Sequence, residues 1–371
     1  MTMMESMDNT KKPLPNGWRW VRLGEVCEFQ YGSGLIQEVR QEGNIPVYGS
    51  NGVVGYHDTA LTSGPTIIVG RKGSIGHVHF SSAPCFPIDT TYFVDSVKLP
   101  VYLEWLAYIL KTLSLPNLNK ASGVPGLNRN DVYKLGIALP PLSEQQRIAA
   151  VLREQMAAVE KARTAAQARL EAAMALPASF VSKSLATALK RRYSLDDCLI
   201  EIRNGIGANW SKYPVLGATR DGLAPAKEDV GKAPTRYKLV DPVTVFYNPM
   251  RILLGSIAMV DEGDAPGITS PDYVVVKGRP GILDTRWFYY WFRSAYGAHL
   301  VESLSRGAVR ERILYNRLSD GEIDLPDYNV QKRVTESMRR VRDVIEPLTK
   351  ELAAINALPA ALLRRAFAGE L

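Results

Sequence analysis

The chain has 371 residues, 46% of them apolar and 22% charged; this composition is ordinary for a globular protein, and the length suits two domains of about 100–200 residues each rather than one core. A formal net charge of +7 favours an anionic partner, nucleic acid first. Three cysteines, Cys27, Cys85 and Cys198, lack CxxC spacing, which argues against a disulfide framework or zinc ribbon and for buried structural thiols.

The opening segment MTMMESMDNTKKPLPNG has no apolar core of the signal-peptide kind. The longest apolar runs, such as Trp105–Leu110, fall far short of the about 20 residues a membrane span needs. The chain therefore reads as cytoplasmic. Its first part is rich in Gly, Pro, Val, Ile and Tyr. TIIVG (Thr66–Gly70) and TYFV (Thr91–Val94) read as short strands between turns, and Leu103–Leu113 as an amphipathic helix. At LPPLSEQQRIAAVL (Leu139–Leu152) two prolines close the irregular part and helix formers begin, with Ser143 as the expected N-cap. No Gly or Pro follows until Leu176, so a run of about 35 residues would span about 50 Å. Strand-like runs return at VTVFYN (Val243–Asn248) and DYVVVKG (Asp272–Gly278), a helix is expected around Thr285–Tyr296, and LPDYNVQKRVTESM (Leu325–Met338) repeats the junction.

The two junctions establish a tandem repeat. Pro140 corresponds to Pro326, Gln145 to Gln331 and Arg147 to Arg333, a shift of 186 positions. At the far ends of the helices Leu176 and Pro177 correspond to Leu358 and Pro359, a shift of 182. The second helix is thus shorter by about one turn. Earlier segments echo in the same order: Val26–Gly34 with Leu199–Gly207, Ile45–Gly52 with Tyr213–Gly222, Gly73–Val78 with Gly255–Val260, and Leu127–Val132 with Leu314–Ser319. Self-similarity at long period outranks local readings in choosing an architecture. The second helix carries a heptad seam of Val334, Met338, Val341, Ile345, Leu348, Leu352 and Ile355, which asks for a partner helix. The first carries a weaker seam of Ile148, Leu152, Gln155, Val159, Ala162 and Ala166. The simplest partner for each is the other. Pro347 is expected to kink or interrupt the second helix.

Familiar catalytic patterns fail. FQYGSG (Phe29–Gly34) lacks the third glycine of a dinucleotide fingerprint, and no GxxxxGK[ST] occurs. FYNPMR (Phe246–Arg251) has Met250 where an amino-methyltransferase motif needs a second proline, and PDYVVVK (Pro271–Lys277) has Val275 where a nuclease core needs a carboxylate. His57, His77 and His79 could bind a metal, but they read better as polar surface histidines. What remains is polar and basic residues on turns. In the first part these are Tyr48, Ser50, Asn51, Arg71, Lys72, Ser74, Lys120 and Ser122. In the second they are Arg203, Asn204, Arg220, Tyr247, Asn248, Arg251, Arg306 and Arg310. Arg and Lys can bond guanine edges and Asn adenine, and neighbouring glycines let backbone amides approach phosphates. These are the candidate DNA contacts.

With LPNGWRWVRLGEVCEFQYGSG (Leu14–Gly34), ASGVPGLNRNDVYKLGIALPPLSEQQRIAAVL (Ala121–Leu152) and LPAALLRRAFAGEL (Leu358–Leu371), the chain resembles the specificity (S) subunit of type I restriction–modification systems over essentially its whole length. The second junction departs from the pattern, with Asp327 for a proline and Val330 for the Glu of EQ. The resemblance implies an α+β fold: two globular α/β target recognition domains joined by two long antiparallel conserved helices in a pseudo-twofold tandem repeat. Its segments would be recognition domain 1 at 1–140, a central helical region at 141–192, recognition domain 2 at 193–325 and a distal helical region at 326–371. It also implies that each domain reads half of a split, asymmetric site on double-stranded DNA, with the helices setting the spacer. The about 50 Å arm is somewhat more than one duplex turn of about 34 Å. Partners would be two methyltransferase (M) subunits and restriction (R) subunits. The chain itself would carry no cofactor and no catalytic residue, with S-adenosylmethionine on M and ATP and magnesium on R. Gln145, Gln146 and Arg147 are candidates for docking M subunits, or are ordinary capping and surface positions. Other readings are a stand-alone bipartite regulator, the specificity subunit of an orphan methylase, a fused enzyme, and a scaffold that binds protein.

Overall fold

The computed structural model describes residues 14–118, 126–305, 312–368 and 370. The chain divides into two units, Met1–Ala165 with Leu352–Leu371, and Ala166–Glu351. In the first unit β1 (Arg19–Arg22), α1 (Leu23–Val26), β2 (Gln30–Tyr31), β3 (Ile45–Gly49), β4 (Gly52–His57), β5 (Thr66–Gly70), β6 (Val78–Ser81), β7 (Phe86–Pro87), β8 (Thr91–Val94), α2 (Leu103–Leu110), α3 (Arg129–Tyr133) and β9 (Gly136–Leu139) lead into the long helix α4 (Leu142–Thr187). An antiparallel sheet of order β2-β8-β5-β6 forms the centre, β4-β3-β7 a smaller sheet, and β1 pairs with β9. Alternate residues of β5 and β8 (Ile67 and Val69, Tyr92 and Val94) enter one core with Trp105, Leu106, Ile109 and Leu110 of α2. The strand period of two thus meets the helix period of 3.6. Each such side chain contributes roughly 1.5–3 kcal/mol on full burial.

The second unit repeats this plan. It holds β10 (Lys190–Ser194), α5 (Leu195–Cys198), β11 (Leu199–Glu201), β12 (Leu216–Thr219), β13 (Gly222–Pro225), β14 (Lys238–Val240), β15 (Thr244–Tyr247), β16 (Ile257–Val260), β17 (Gly267–Thr269), β18 (Val274–Gly278), α6 (Thr285–Phe292), α7 (Ala295–Ser305), α8 (Tyr315–Ser319) and β19 (Glu322–Pro326). Its central sheet has the order β11-β18-β15-β16, and β10 pairs with β19. Strand for strand this is the arrangement of the first unit. Trp287 of α6 is fully buried, as Trp105 of α2 is. One echo in the sequence shifts: Val69 pairs with Val78 and Tyr247 with Ile257, so Val78 is equivalent to Ile257, not to Val260. GSI thus lies in the turn of the first unit but runs into the strand of the second.

The last helix is α9 (Tyr328–Phe367), and each unit holds the start of one long helix and the end of the other. In the first unit Ile148, Ala149 and Leu152 of α4 share a core with Leu363 and Ala366 of α9. In the second, Val181 and Leu185 of α4 share one with Met338 of α9, and Arg169 pairs with Glu351. The helices therefore run antiparallel within each unit. The seam residues are buried or half-buried as the heptad pattern requires, except Ala162, which is exposed.

Three local expectations are corrected. Helix α4 begins at Leu142, and the Pro141 carbonyl accepts from the N–H groups of Glu144 and Gln145, so Ser143 lies inside the first turn and is not the cap. Helix α4 continues through Pro177 to 46 residues, about 69 Å at 1.5 Å per residue. Helix α9 likewise runs unbroken through Pro347 and Pro359 for 40 residues. A proline removes one backbone hydrogen bond, and in α4 the buried Val181 and Leu185 beyond Pro177 hold the helix on course.

Equivalent glutamines lock each helix start. The Gln145 side-chain amide donates to Pro140 O at 2.9 Å and Pro100 O at 3.4 Å and accepts from Tyr102 N–H at 2.8 Å. Gln331 donates to Pro326 O at 2.9 Å and Ile282 O at 3.0 Å and accepts from Asp284 N–H at 2.8 Å. Both are 0% exposed. Arg153 of α4 also bonds Glu104 of α2 in the first unit. In the second, buried Arg286 of α6 pairs with Asp261, which also holds Arg342 of α9, and Glu262 pairs with Arg339. Among the described residues no helix is long and apolar enough to cross a membrane.

Candidate nucleic-acid interface

In the first unit, the turn between β5 and β6 and the turn between β3 and β4 come together. The N–H groups of Arg71 and Lys72 both donate to Thr90 O, at 2.9 and 3.1 Å, and Ser50 Oγ donates to the same carbonyl at 2.7 Å. Gly70 permits this convergence, since a Cβ there would lie 2.1 Å from Ser74 O. Ser50 is buried and its hydroxyl is committed inward, so its side chain is not available to a base. Tyr48 is half-buried, and burial pushes its phenol above the usual range. Asn51 and Lys72 are exposed, and Ser74 is half-buried. Lys120 and Ser122 lie outside the described residues.

Arg71 donates to Asp89 O and lies over the ring of Tyr31, 5.3 Å from its centroid. Arg129 lies over the same ring at 5.0 Å and donates to Phe29 O at 2.9 Å. Tyr31 is 54% exposed, so two cations and one aromatic ring form an open edge beside Lys72. Leu127 N–H donates to Arg71 O at 2.9 Å and ties the LNRND segment to this edge. Sequence reasoning missed Tyr31 and Arg129. Tyr31 stands in FQYGSG and Arg129 in LNRND, but their meeting depends on β2 pairing with β8. His79 contributes no charge: burial lowers its pKa, and its ring contacts Ser50 O at 3.2 Å. Among the described residues no cluster of His, Cys, Asp or Glu could hold a metal ion.

In the second unit Arg203 is exposed and pairs with Glu201. Asn204, Arg220 and Arg251 are exposed. The Arg220 carbonyl is held by Arg293 at 2.7 Å. Tyr247 is corrected: it is 0% exposed, packs edge-on against Phe292 at 5.6 Å, and burial drives its phenol pKa well up. It is a core residue because β15 alternates and places Val245 and Tyr247 on the core face. Asn248 uses its carbonyl oxygen to accept from Met250 N–H at 3.0 Å and so shapes the turn. Arg306 and Arg310 lie outside the described residues. Gln145 is corrected as a docking candidate by its burial and its three internal bonds. Gln146 and Arg147 are exposed, and Arg147 pairs with Glu144 at 2.8 Å.

The accessible candidates are therefore cations and amides, mostly on turns, with Tyr31 of β2 and Arg129 of α3 beside them in the first unit. Forked guanidinium donors and amides suit phosphate oxygens and base edges.

Residues 15–167 match the family model for the type I restriction modification DNA specificity domain. The EcoDI specificity subunit of Escherichia coli is 21% identical over 96% of this chain and 89% of its own length. The EcoprrI specificity subunit of Escherichia coli is 27% identical, but the match spans 35% of this chain and 34% of that protein. A putative specificity subunit of Mycoplasma pneumoniae is 23% identical over 36% of this chain and 39% of its own length. Among solved structures, the type I S subunit of M. genitalium superposes with a TM-score of 0.58 over 96% of this chain and 98% of that one, at 16% identity. A chain from a study of type I restriction–modification complex assembly gives 0.65 over 97% and 100%, at 17% identity. These likenesses establish the fold, and residues 15–167 carry the match to the type I restriction modification DNA specificity domain.

Proposed function

We propose that this chain is the DNA-recognition subunit of a type I restriction–modification complex. Each unit reads one half of a bipartite, asymmetric site on double-stranded DNA, and the helical regions between the readers set the unread spacer. The observation that carries this reading is the duplication itself: two central sheets of identical strand order present turns of different chemistry, Arg71 and Lys72 in one and Met250 and Arg251 in the other. A repeated scaffold with unlike turns suits two unlike half-sites. Residues 1–140 and 193–325 are the proposed readers, and 141–192 and 326–371 the helical regions.

The chain is a non-catalytic subunit that acts in the cytoplasm. Two methyltransferase subunits, which bring S-adenosylmethionine, and restriction subunits, which bring ATP and magnesium, assemble on it, with Gln146 and Arg147 as candidate docking positions. Arg71, Lys72 and Arg129 about Tyr31 in the first unit, and Arg203, Asn204, Arg220 and Arg251 in the second, are the proposed DNA contacts. Asn51 joins them through its exposed amide.

The test is adenine methylation mapped across a genome with and without this gene, beside duplex binding by the chain co-expressed with its methyltransferase. The reading predicts loss of methylation at one bipartite sequence and binding that weakens with salt. Replacing one exposed arginine that touches a phosphate should lower the slope of log affinity against log salt by about 1. Unchanged methylation, or affinity indifferent to salt, refutes it.

A further inference from the structure

The turn between β15 and β16 is the counterpart of the turn between β5 and β6, because the two sheets share one strand order. The first unit's turn exposes Lys72, and its apolar residue, Ile75, packs inward against the core. The second unit's turn does the opposite: Met250 and Leu254 are each 70% exposed. The turn that carries them is tied by hydrogen bonds along its length. Asn248 accepts from Met250 N–H, and Leu254 N–H donates to Arg251 O at 3.0 Å. Gly255 closes the turn with φ +80, a conformation that favours glycine. Ile252 is buried in the core, and Ser256 Oγ bonds Ala218 O at 2.6 Å. Arg251 in the turn and Arg220 on the adjoining hairpin are both exposed. Met250 and Leu254, with Leu253 less exposed beside them, thus stand out from a hydrogen-bonded turn that carries Arg251 and adjoins the Arg220 hairpin.

We infer that Met250 and Leu254 are specificity-determining residues that contact thymine C5-methyl groups in the half-site read by the second unit. The inference rests on the DNA-recognition reading above. Flanking arginines fit a polyanion, and within a stacked duplex the apolar feature offered to a side chain in the major groove is the thymine methyl. The first unit's turn, with its apolar residue turned inward, has no counterpart to this contact.

The experiment uses the full chain with its co-expressed methyltransferase and begins by selecting bound duplexes from a random pool. Each thymine of the selected site is then replaced by deoxyuridine, which deletes only the methyl. Wild type should lose about fourfold in affinity per contacted methyl, as follows from about 0.8 kcal/mol for one buried methyl group. The double variant Met250→Ser, Leu254→Ser should bind thymine and uracil duplexes alike at those positions, and respond as wild type does to uracil elsewhere in the site. Both residues are exposed, so the variant should fold. No selected sequence at all would sink the DNA-recognition reading instead. A selected site whose uracil response is the same in wild type and variant overturns the present inference. So does a variant that weakens on thymine and uracil duplexes equally, which marks insertion between bases, or one that binds DNA normally and loses its methyltransferase, which marks a protein contact.

Discussion

Replacing Gln145 by alanine separates a structural clamp from a docking residue. The variant removes one acceptor and one doubly donating amide, and strands Tyr102 N–H, Pro140 O and Pro100 O. A buried unsatisfied polar group costs about 1–3 kcal/mol. The two bonds at 2.8 and 2.9 Å dominate and the one at 3.4 Å is weak, so the expected loss is about 3 kcal/mol. An exposed docking glutamine changed to alanine would cost within about 0.5 kcal/mol. The chain has two units, so one global melting curve does not isolate the effect. Native-state amide exchange does: Tyr102 N–H should lose protection in Gln145→Ala while Asp284 N–H keeps it, and Gln331→Ala should show the reverse. If Gln145→Ala leaves Tyr102 protected and urea unfolding unchanged, the clamp is wrong.

The Trp287 indole donates to Ser184 Oγ at 3.2 Å, so Ser184→Ala should cost about 1–2 kcal/mol in the second unit, read by urea unfolding. Trp105, its counterpart, is buried with no partner for its indole nitrogen; Ala366 stands where the repeat would place serine, and Ala366→Ser should add about 1 kcal/mol to the first unit. Burial pushes the Cys27 thiol up to about 12 from an ordinary 9.0. The folded chain therefore keeps a proton that the unfolded chain releases, so its contribution to stability is full below pH 9 and lost between 9 and about 12. Unfolding profiles of wild type should fall more steeply across that window than those of Cys27→Ala, and iodoacetamide should spare Cys27 in the native chain at pH 8.5. Arg286→Met leaves Asp261 buried without its closest cation and should cost about 3–5 kcal/mol, measured by denaturant unfolding followed at Trp287.

What the sequence revealed follows physical range. Strands at Thr66–Gly70 and Thr91–Val94 and the helices after each double junction were legible because their signals are local: apolar runs between turns, and a heptad that continues for dozens of residues. Tyr247 was misread for a related reason. Its neighbours Asn248 and Arg251 mark a turn, but the period of two that turns Tyr247 inward is set by β18 and β16 on either side. Gln145 looked like a helix-start surface residue, and its burial depends on Pro100 and Tyr102, over forty positions earlier in the chain. Pro177 looked like a stop because the sequence shows the lost hydrogen bond and not the core that grips the helix beyond it.

The two copies also show where divergence is tolerated. Glutamine and tryptophan stay fixed at Gln145 and Gln331 and at Trp105 and Trp287, because each satisfies a buried geometry that no exposed change can relieve. Beside them one charge of a facing pair reverses. Glu104, which pairs with Arg153 in the first unit, is answered by Arg286, and Arg153 is answered by Arg339. Two facing arginines would repel, and the second unit resolves this with Asp261 and Glu262 at the end of β16, which pair with Arg286 and Arg339 respectively. The substitution on α6 thus required a compensating acidic turn on another element. Changes in the exposed turns at the other end of the sheet require no such compensation, because Lys72, Arg251, Met250 and Leu254 face solvent. On the proposed DNA-recognition reading, each unit can therefore change what it reads by single substitutions in its turns, while its hold on the long helices changes only by coordinated sets.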